Sequence, residues 1–476
     1  MQHFKIYTRA VILDNEKRNV LLIKKQQDQK FGGGEWLLPG GTVEFGEDIE
    51  LSLIREIHEE TNLSVISLAL LTSKKMIIGN THWLGIYFIA KVKDKSKLIN
   101  TEKHKHETVK FVPLNSVPDF RDYMMLPLMK NIASNCEYVH VLPAIAQEHS
   151  MEDALQNYLH KKIHNLVRIN HDMFDRVKVV GNYDRSIHVS KDEKNDKLFN
   201  YKRPTACIDG GTLYLCCFPG GDYIYHYAKL MSSYFHHIGI KKQVSYLLAD
   251  DTAIHNTFLE TNIHQIPEAE IIIFGNIDKI GIFSDQEFSG NGDFMWKTGV
   301  MNGKKVVLLG CTFSIWGDTG FHLIEVLVKT HPFSVFIYIG KLGVLDPQIP
   351  PNQYLATGSK SFVEGECVEW DNVFSESITH SSVILGEHIT CPSVIDETKT
   401  YIKEVCKYGN MIDPEIGQMA KACNKNGKQF SYLHIISDNV VAPYEENLSN
   451  ERKGSIREKR RALFLAIGEI IQHTSL

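Results

Sequence analysis

The sequence predicts an α/β protein with more than one domain. Short apolar runs such as TLYLCCF, VSYLLA and EIIIFG alternate with helical patterns between residues 205 and 290, and this alternation is typical of layered α/β folds. The chain has 476 residues, which is too long for one hydrophobic core. We expect domains at residues 1–137 and 266–476, joined by a helical or α/β region at 138–265 to which the sequence assigns no role.

The composition is that of a globular protein in water. The chain is 43% hydrophobic and 23% charged, and no apolar run approaches the ~20 residues that cross a bilayer. A net charge of −5 gives no general attraction to nucleic acid, and the first residues do not resemble a secretion signal. Nine cysteines without a CxxC pair fit reduced thiols better than disulfides or a zinc site. We expect a cytoplasmic protein that binds neither nucleic acid nor membranes.

Residues 48–60 predict a helix with an unusual concentration of carboxylates. The segment contains no glycine or proline, and its apolar residues recur on one side at helical spacing. At about 100° per residue, Glu56, Glu59 and Glu60 occupy a neighbouring arc and converge on one patch. Such a patch repels itself unless it holds a hard cation, and carboxylates with water are the ligands that Mg²⁺ or Mn²⁺ prefers. For an isolated ExxEE pattern, a solvated acidic helix is the alternative.

The spacing around this helix follows a known motif. Gly41 is followed after five residues by Glu47 and, after seven more, by REIHEE at 55–60, and this pattern resembles the Nudix box. One position differs, because Asn62 stands where the family usually has glycine. Asparagine tolerates the left-handed backbone conformation at a helix end, so we expect the helix to end there unchanged.

The resemblance implies an N-terminal Nudix hydrolase domain with an α/β/α sandwich fold and a requirement for Mg²⁺ or Mn²⁺. It also implies an ion pair between Arg55 and Glu47 that orients the loop and the helix. The preceding GGGEWLLPGG resembles the strand and glycine turn that bring backbone close to a diphosphate. The residues implied are the metal ligands Glu56, Glu59 and Glu60, the catalytic Glu47, Arg55, Glu56 and Glu59, and the substrate-binding Gly41.

The segments LPGGTVEFGE, THWLGIYFIAKV and NTEKHKHETVKFVPLNSVP resemble Nudix enzymes that convert nucleoside triphosphates to monophosphates and pyrophosphate. This resemblance implies that His82 and Trp83 lie on a strand facing the base, and that Glu107 is a further acid near the metal ions. Alternating aromatic residues in a strand are also common in cores, so both interpretations of the strand stay open. We interpret His104 and His106 as loop residues, because the sequence offers no third ligand at metal spacing.

The middle of the chain gives weaker signals. The first domain is expected to close after LPLMKNI at residues 126–132. Beyond it, MEDALQNYLHKKIHNLVRI at 151–169 predicts a helix. The polar stretch HVSKDEKNDKLFNYKRP at 188–204 predicts an exposed linker or loop.

Three later segments follow one another in a characteristic order. FMWKTGVMNGKKVVLLGCTFSIWGDTGFHLIEVLV predicts two strands, a glycine turn and a helix, and SVFIYIGKLGVLDPQI predicts a strand and a second glycine turn. With YGNMIDPEIGQMAKACNKNGKQFSYLHIISDN, an acidic helix start followed by a strand that ends in Ser-Asp, they resemble the nucleoside phosphorylase and nucleosidase superfamily. The resemblance covers residues 266–476 and implies an α/β domain of the nucleoside phosphorylase type.

The chemistry of this superfamily explains the residues it uses. Breaking a ribosyl C–N bond builds positive charge on the sugar and negative charge on the leaving base, so an acid at the base and a carboxylate at the ribose both help. By position, the resemblance makes Asp438 the acid and Glu415 the ribose-binding residue. The other substrate-binding residues implied are Gly310, Cys311 and Thr312 at a turn near the nucleophile or phosphate, and Gly340 and Gly343 beneath the sugar.

The nucleophile is expected to be water. Phosphorylases usually carry a phosphate-binding arginine before the second glycine turn, where this chain has Tyr338-Ile339-Gly340. The long interval between Asp438 and the last helix is similar to AMP nucleosidase, which cleaves monophosphates. A basic run at that helix could hold a 5′-phosphate or be a solvated helix start; its members are Arg452, Lys453, Arg457, Lys459, Arg460 and Arg461.

Together the two motif sets predict a bifunctional nucleotide-degrading enzyme. It would hydrolyse a nucleoside triphosphate and then release the base from the monophosphate, an activity that would suit nucleotide depletion in antiviral defence. In a second hypothesis, the C-terminal domain is a nucleotide sensor that regulates the first. A third keeps the Nudix chemistry but takes a dinucleotide or an ADP-ribose-like diphosphate. The expected partners are small-molecule nucleotides, and the C-terminal resemblance implies a homo-oligomer.

Overall fold

The computed structural model confirms the predicted α/β fold class. It describes residues 3–14, 19–29, 32–78, 80–114, 117–118, 122, 125, 139–191, 193–375, 382–451 and 453–475. The chain separates into two compact units, Met1–Cys136 and Glu137–Leu476. The region 138–265 thus lies in the same unit as residues 266–476.

The first unit contains two three-stranded sheets. Its described elements are β1 His3–Val11, β2 Asn19–Lys25, β3 Trp36–Leu37, α1 Ile49–Thr61, β4 Val65–Ile78, β5 Thr81–Val92 and β6 His106–Pro113. One sheet has the order β1-β5-β4, in which β1 runs parallel and β4 antiparallel to β5. The other has the antiparallel order β3-β2-β6. The segment predicted to close this domain, residues 126–132, lies outside the described residues.

Helix α1 is positioned by both of its ends and by one buried face. Asp48 caps its N-terminus by accepting hydrogen bonds from two backbone N–H groups of the first turn, at 3.0 and 3.2 Å. Asn62 ends the helix with φ 57°, so the expected left-handed end is confirmed. Leu53 and Ile57 are buried in one hydrophobic cluster with residues of β1, β2 and β5. This packing sets the rotation of the helix and therefore where its carboxylates lie.

The second unit begins with a six-stranded sheet. The elements of this part are β7 Val139–His140, α2 Ala154–Lys162, α3 Asn165–Ile169, β8 Arg176–Val180, β9 His188–Val189, β10 Thr205–Asp209, β11 Thr212–Cys216, α4 Gly221–His237, β12 Gln243–Leu247 and α5 Asp251–Leu259. The strand order is β7-β12-β8-β11-β10-β9. Strand β8 is parallel to β11 and β12, while the outer pairs are antiparallel.

Two further sheets complete the second unit. Their elements are β13 Ile271–Gly275, β14 Phe294–Met301, β15 Lys304–Cys311, α6 Asp318–Thr330, β16 Val335–Ile339, β17 Lys341–Val344, β18 Leu355–Thr357, β19 Lys360–Val363, β20 Glu366–Glu369, β21 Val383–Leu385, β22 His388–Thr390, α7 Lys399–Val405, β23 Met411–Asp413, α8 Ile416–Lys425, β24 Gln429–Tyr432, β25 His434–Asn439 and α9 Gly454–His473. The five-stranded sheet has the order β14-β15-β13-β16-β24, and the eight-stranded sheet has the order β20-β19-β22-β23-β17-β25-β18-β21.

One hydrophobic core joins the six-stranded and five-stranded parts of this unit. The same cluster of buried side chains contains Val177 of β8, Phe258 of α5 and Phe274 of β13. Where the two parts meet, the rings of Phe218 and Phe313 stack with their centroids 3.9 Å apart. Residues 138–265 therefore share their interior with the C-terminal sheets.

The prediction of an exposed linker or loop at residues 188–204 is confirmed for the loop but is wrong for the residues in it that are buried. Phe199 is buried and its ring lies against Gly310, where a side chain would leave it no room. Glu193 is also buried, and its Oε1 accepts a hydrogen bond from Arg185 at 2.8 Å. The stretch is a loop, as its composition indicates, but Glu193 is paired with Arg185 inside the unit, so polarity did not mean exposure at that position.

The helix predicted at 151–169 is two helices, α2 and α3. Between them Ile163 has extended backbone, with φ −72° and ψ 132°. The Nδ1 atom of His164 accepts a hydrogen bond from the N–H of Leu166 at 3.0 Å and so caps α3. A side-chain cap inside an otherwise helical pattern ends the first helix early.

The N-termini of α4 and α6 cap each other. The carboxylate of Asp318 accepts hydrogen bonds from the N–H groups of Gly221 and Asp222 at 2.9 and 3.1 Å, and Asp222 accepts one from the N–H of Asp318 at 2.9 Å. Burial, followed by the charge of Asp318, raises the pKa of Asp222 to about 7, and burial raises the pKa of Asp318 to about 6. Two helices are thus tied together through two acids.

None of the helices in the described part of the chain combines the length and the apolar character that crossing a bilayer requires.

Candidate functional site

Arg55 joins three of the predicted acidic residues in the first unit. Its Nε and Nη2 atoms donate to the two carboxylate oxygens of Glu47 at 2.8 and 3.1 Å. Its Nη1 atom donates to Glu56 and to Glu59, each at 3.0 Å. The hydrogen bond from Arg55 lowers the pKa of Glu47 to about 2. One guanidinium therefore orients the loop residue and two of the three implied metal ligands.

The glycine turn at residues 40–41 lies directly against the other glutamates. The N–H of Gly40 donates to Oε2 of Glu60 at 2.8 Å. The carboxylate of Glu56 packs on the Cα of Gly41 and leaves no space for a side chain there. Gly40 has φ 131°, and its carbonyl accepts a hydrogen bond from the buried Arg9. Both glycines are therefore required for the close approach of the turn to α1.

Glu60 is buried and adjoins a histidine and a further glutamate. Burial raises the pKa of Glu60 to about 8 and lowers the pKa of His106 to about 4. The Nε2 atom of His106 lies 3.6 Å from Oε1 of Glu60. One potential ligand atom each from Glu60, Glu102 and His106 lies within 4.8 Å of the others. The interpretation of His106 as a loop residue is wrong, because it begins β6 and is buried.

The donor set fits a divalent cation. Carboxylate oxygens are the ligands that Mg²⁺ and Mn²⁺ prefer, and Glu56, Glu59 and Glu60 would supply them. Burial raises the pKa values of Glu56 and Glu60, and a bound cation would favour their charged forms instead. Glu102 and His106 lie beside Glu60 and would be additional ligands of such a cation. The sequence analysis missed Glu102, which gave no signal because it lies 42 positions beyond Glu60.

His82 and Trp83 lie on a strand, β5, as the resemblance implies. The ring centroids of Phe4 and His82 are 5.3 Å apart, and Nζ of Lys5 lies 5.1 Å from the centroid of the Trp83 ring. These contacts leave both interpretations of the strand open. Glu107 pairs with a lysine of β2 at 2.7 Å and is not part of the Glu60 cluster.

In the second unit, Asp438 lies in β25 beside Gly343, which is a residue of strand β17 rather than of the predicted turn. It is the direct neighbour of Gly343 across the parallel pair β17 and β25. The hydroxyl of Ser437 donates to its Oδ1 atom at 2.6 Å. Burial raises the pKa of Asp438, although the Ser437 hydrogen bond and the charges of Lys341 and Arg460 act in the opposite direction. The carboxyl therefore holds a proton at higher pH than an exposed aspartate does, as a general acid requires.

Glu415 follows β23, the strand on the other side of β17. Gly343 pairs with both β23 and β25, so these two strands flank β17. Because β23 is antiparallel and β25 parallel to β17, the end of β23 that leads to Glu415 lies toward the start of β17, whereas Asp438 lies beside Gly343. Glu415 is buried and accepts a hydrogen bond from the N–H of Gly317. Burial, followed by the charge of Asp413, raises the pKa of Glu415 well above its ordinary value. Each of the two strands beside β17 thus carries or leads to a buried carboxyl group.

The remaining predicted glycine and turn residues are covered by other groups. The N–H of Gly340 donates to Nδ1 of His434 at 3.2 Å. Gly310 and Cys311 are strand residues rather than turn residues, because β15 pairs with β14 over its whole length. The carbonyls of Cys311 and Thr312 accept hydrogen bonds from the N–H groups of residues 200–202 at 2.8 to 3.0 Å. The loop at 188–204 therefore lies over this strand end.

The basic run at the start of α9 divides into exposed and buried members. Of its described members, Arg460 is the buried one, and its Nε atom donates to Asn352 at 2.7 Å. Its Nη1 atom lies 3.4 Å from Glu451. Arg452 lies outside the described residues. The exposed members are Lys453, Arg457, Lys459 and Arg461.

Sequence reasoning also missed two neighbours of Asp438. Burial, followed by the charge of Asp438, raises the pKa of Glu397 well above its ordinary value. Lys341 begins β17, and its positive charge acts on Asp438. Lys341 carried one available signal, its position directly after the predicted glycine turn at Gly340. Glu397 carried none.

Comparison with known proteins assigns the first unit to a family. Residues 4–132 match the family model of the NUDIX domain, so this part of the chain is a NUDIX domain. Nudix hydrolase 2 of Arabidopsis thaliana is 28% identical over 126 residues, which are 25% of this chain and 44% of that protein. ADP-ribose pyrophosphatase of Methanocaldococcus jannaschii is 41% identical over 66 residues, 13% of this chain and 38% of that protein. The chain spans less than half the length of these curated relatives.

A solved structure resembles another part of the chain. It is the 5′-methylthioadenosine/S-adenosyl homocysteine nucleosidase of Campylobacter jejuni, which is 14% identical with a TM-score of 0.35. The similarity covers 43% of this chain and 97% of that chain, and it falls in the C-terminal part.

Proposed function

We propose that this protein degrades nucleotides by hydrolysis in two steps. The first unit would convert a nucleoside triphosphate to a monophosphate and pyrophosphate with Mg²⁺ or Mn²⁺. The second unit would hydrolyse the monophosphate to free base and ribose 5-phosphate. The observation that supports the first step is the contact of Arg55 with Glu47, Glu56 and Glu59 within a NUDIX domain. The second step is supported by the two buried carboxyl groups that the strands beside β17 carry or lead to.

In the first step, water attacks one of the two phosphorus atoms joined by the α–β bridging oxygen, the bond from that phosphorus to the bridging oxygen breaks, and monophosphate and pyrophosphate result. A bound divalent cation supplies a Lewis acid and lowers the pKa of water. Arg55 keeps Glu56 and Glu59 in place, and Glu47 in turn holds Arg55 through two hydrogen bonds. The absence of side chains at residues 40–41 lets backbone approach a diphosphate closely. These residues position the reacting groups, which is where much of the rate acceleration in phosphoryl transfer arises.

In the second step, the bond between C1′ of the ribose and the base nitrogen breaks, and water adds to C1′. Protonated Asp438 would donate its proton to the leaving base, and the proton released by the attacking water would restore it. Glu415 would hydrogen-bond the ribose hydroxyls and so hold the sugar while positive charge develops at C1′. The raised pKa of Asp438 supports its role as the donor.

A nucleoside diphosphate derivative is the second candidate substrate for the first step. The observation that favours it is the identity of 41% over 66 residues with a relative named ADP-ribose pyrophosphatase. Hydrolysis of such a diphosphate also yields a nucleoside monophosphate, so the second step could follow it unchanged.

Product analysis tests these steps. The full chain is incubated with Mg²⁺ and either a nucleoside triphosphate or ADP-ribose, and the products are separated by chromatography. From the triphosphate, the expected products are pyrophosphate and monophosphate, followed by free base and ribose 5-phosphate. From ADP-ribose, they are monophosphate and ribose 5-phosphate, followed by free base. If the second unit binds a purine nucleotide but releases no base, it acts as a sensor. If ribose 1,5-bisphosphate forms when inorganic phosphate is added, the nucleophile is phosphate rather than water.

We also propose that the protein acts in the cytoplasm as a homo-oligomer. Light scattering of the purified chain tests its assembly, and nucleotide pools measured in cells before and after viral infection test a role in antiviral depletion.

A further inference from the structure

A cavity of about 420 Å³ lies within the second unit, and basic side chains surround it. Its wall is formed by α2 and α3, by the loop at 188–204 and by residues 448–451. The cationic side chains of this wall are Lys161, Lys162, Arg168, Lys191, Lys194 and Arg203. Most of the wall thus comes from the region to which the sequence assigned no role.

The same wall contains two carboxylates, Glu193 and Glu451, whose negative charges oppose those of the six cations. The charge of Glu193 is already paired with that of Arg185, which is not part of the cavity wall. Arg185 donates to its two oxygens at 2.8 and 3.3 Å, and the N–H of Arg203 donates to it at 3.3 Å. Its charge is therefore largely used in a pair that holds the loop in place. Of the lysines in the wall, Lys162 and Lys194 contact Glu451.

Glu451 is shared by four cations at once. Its carboxylate oxygens lie 2.8 Å from Lys341, 3.4 Å from Lys194, 3.4 Å from Arg460 and 3.7 Å from Lys162. Burial acts to raise the pKa of Glu451, but Lys341, Lys194 and Lys162 together hold it well below its ordinary value. The charge of Lys162, followed by burial, pushes the pKa of Lys194 well below its ordinary value. Four cations converge on this one carboxylate, and six cationic side chains line the cavity beside two carboxylates, so the potential there is positive and favours an anion.

The cavity is also close to the proposed general acid. Arg460 contacts Glu451 through Nη1, and its Nη2 atom lies 3.5 Å from the carbonyl oxygen of Ser437, the residue before Asp438. Lys341, which binds Glu451 at 2.8 Å, also acts on the charge of Asp438. The cations at Glu451 therefore extend from the cavity wall to the residues beside Asp438.

We propose that this cavity binds a phosphoryl group, and that the group is the 5′-phosphate of the nucleotide whose glycosidic bond is cleaved at Asp438. The assignment rests on the proposed function of the second unit. It places the phosphate at Lys162, Lys194 and the cations of the unassigned region, rather than at the exposed basic residues of α9. The region 138–265 thereby acquires a role in distinguishing nucleotides from unphosphorylated nucleosides.

The test compares Lys194→Gln with Lys453→Gln, which makes the same chemical change at an exposed lysine paired with Glu445. Loss of one charge-assisted contact should raise KM for a nucleoside monophosphate roughly 10-fold to 100-fold. Cleavage of the unphosphorylated nucleoside should stay unchanged, and Lys453→Gln should match wild type. Lys162→Gln is a second variant, in case Lys194→Gln fails to fold. Equal losses with nucleotide and nucleoside, or a loss in Lys453→Gln alone, would overturn the proposal.

A binding measurement separates this inference from the proposed function. Calorimetric titration of the full-length Asp438→Asn protein with ribose 5-phosphate should show binding that Lys194→Gln weakens in the same background. If no variant or wild type releases base but this binding is seen, the proposed nucleosidase activity fails while the anion site stands. If Lys194→Gln weakens binding of a nucleoside triphosphate but leaves KM for the monophosphate unchanged, the phosphate belongs to a separate effector and the substrate assignment is wrong.

Discussion

Arg55 and Glu47 are joined by two roughly parallel hydrogen bonds, from Nε at 2.8 Å and from Nη2 at 3.1 Å. This geometry uses the planar fork of a guanidinium, which a lysine ammonium cannot reproduce. The third nitrogen of the fork remains available for Glu56 and Glu59. The pair therefore transmits the position of the loop to the carboxylates of α1.

The first prediction follows from that fork. Arg55→Lys keeps a positive charge but loses the two-point contact, so pyrophosphate release should fall roughly 10-fold to 100-fold, as for loss of a charge-assisted pair. Pyrophosphate release from a nucleoside triphosphate is the measurement. Arg457→Lys, at an exposed ion pair with Asp196, is the control and should match wild type. Wild-type activity in Arg55→Lys would contradict a positioning role for the fork.

The second prediction concerns the metal ligands. Glu59→Gln removes one charge from a hard-cation site with almost no change in volume, so pyrophosphate release should be abolished while the circular dichroism spectrum is unchanged. Glu56→Gln and Glu60→Gln should behave alike. Glu50→Gln, an exposed position in the first turn of the same helix, is the matched control. Assays should span a range of Mg²⁺ concentrations, and full activity of Glu59→Gln at all of them would refute the metal assignment.

The third prediction separates the two steps. Asp438→Asn cannot donate the proton, so base release should fall by ~10²–10⁴-fold while triphosphate hydrolysis continues. Monophosphate should therefore accumulate where wild type yields free base, and chromatography detects both. The Glu59→Gln protein should still cleave monophosphate supplied directly. Base release at the wild-type rate in Asp438→Asn would show that this aspartate is not the acid.

The fourth prediction concerns the two acids that cap α4 and α6. The folded pKa of Asp222 is raised from 3.8 to about 7, and that of Asp318 from 3.8 to about 6. At pH values between 3.8 and these raised pKa values, the folded chain therefore binds more protons than the unfolded chain. The free energy of unfolding therefore falls as pH rises from about 4 to about 7. Asp222→Asn keeps a carbonyl acceptor for the N–H of Asp318 but removes one of the two titratable carboxyl groups.

Thermal unfolding followed by circular dichroism across this pH range checks the effect. The midpoint of the second unit should fall less steeply with pH in Asp222→Asn than in wild type. Asp209→Asn, at an exposed position, should keep the wild-type slope. An unchanged slope in Asp222→Asn would mean that Asp222 does not titrate in this window.

The contacts of the first unit were largely predictable because they are local. Gly41, Glu47, Arg55 and Glu56 lie within 16 positions. Helical spacing brings Arg55 beside Glu59 at i, i+4, and the motif spacing indicated the contacts of Gly41 and Glu47 with the helix. The approach of His106 to Glu60 was not predictable, because it depends on where β6 packs beside the helix. No pattern within a single segment encodes such a contact.

The second unit shows the same limit more strongly. Glu451 has partners at positions 162, 194, 341 and 460, four separate parts of the chain that meet only in the folded state. The polar composition of residues 188–204 did not predict the burial of Glu193, because this burial depends on a partner, Arg185, rather than on composition. The order of strands and glycines in residues 266–476 was a better guide, since it reflects backbone constraints that sequence carries directly.

The stacking of Phe218 on Phe313 has a consequence for how this chain can be divided or inherited. Dividing the gene after residue 265 would place Phe218 and Phe313 in separate fragments. Each fragment would then expose apolar surface that favours aggregation. Residues 138–265 and 266–476 are therefore expected to be gained, lost or exchanged as one block. The hydrophobic clusters of the NUDIX unit, by contrast, consist of its own residues alone. The boundary near residue 136 is thus where recombination could attach a different partner domain without breaking a core.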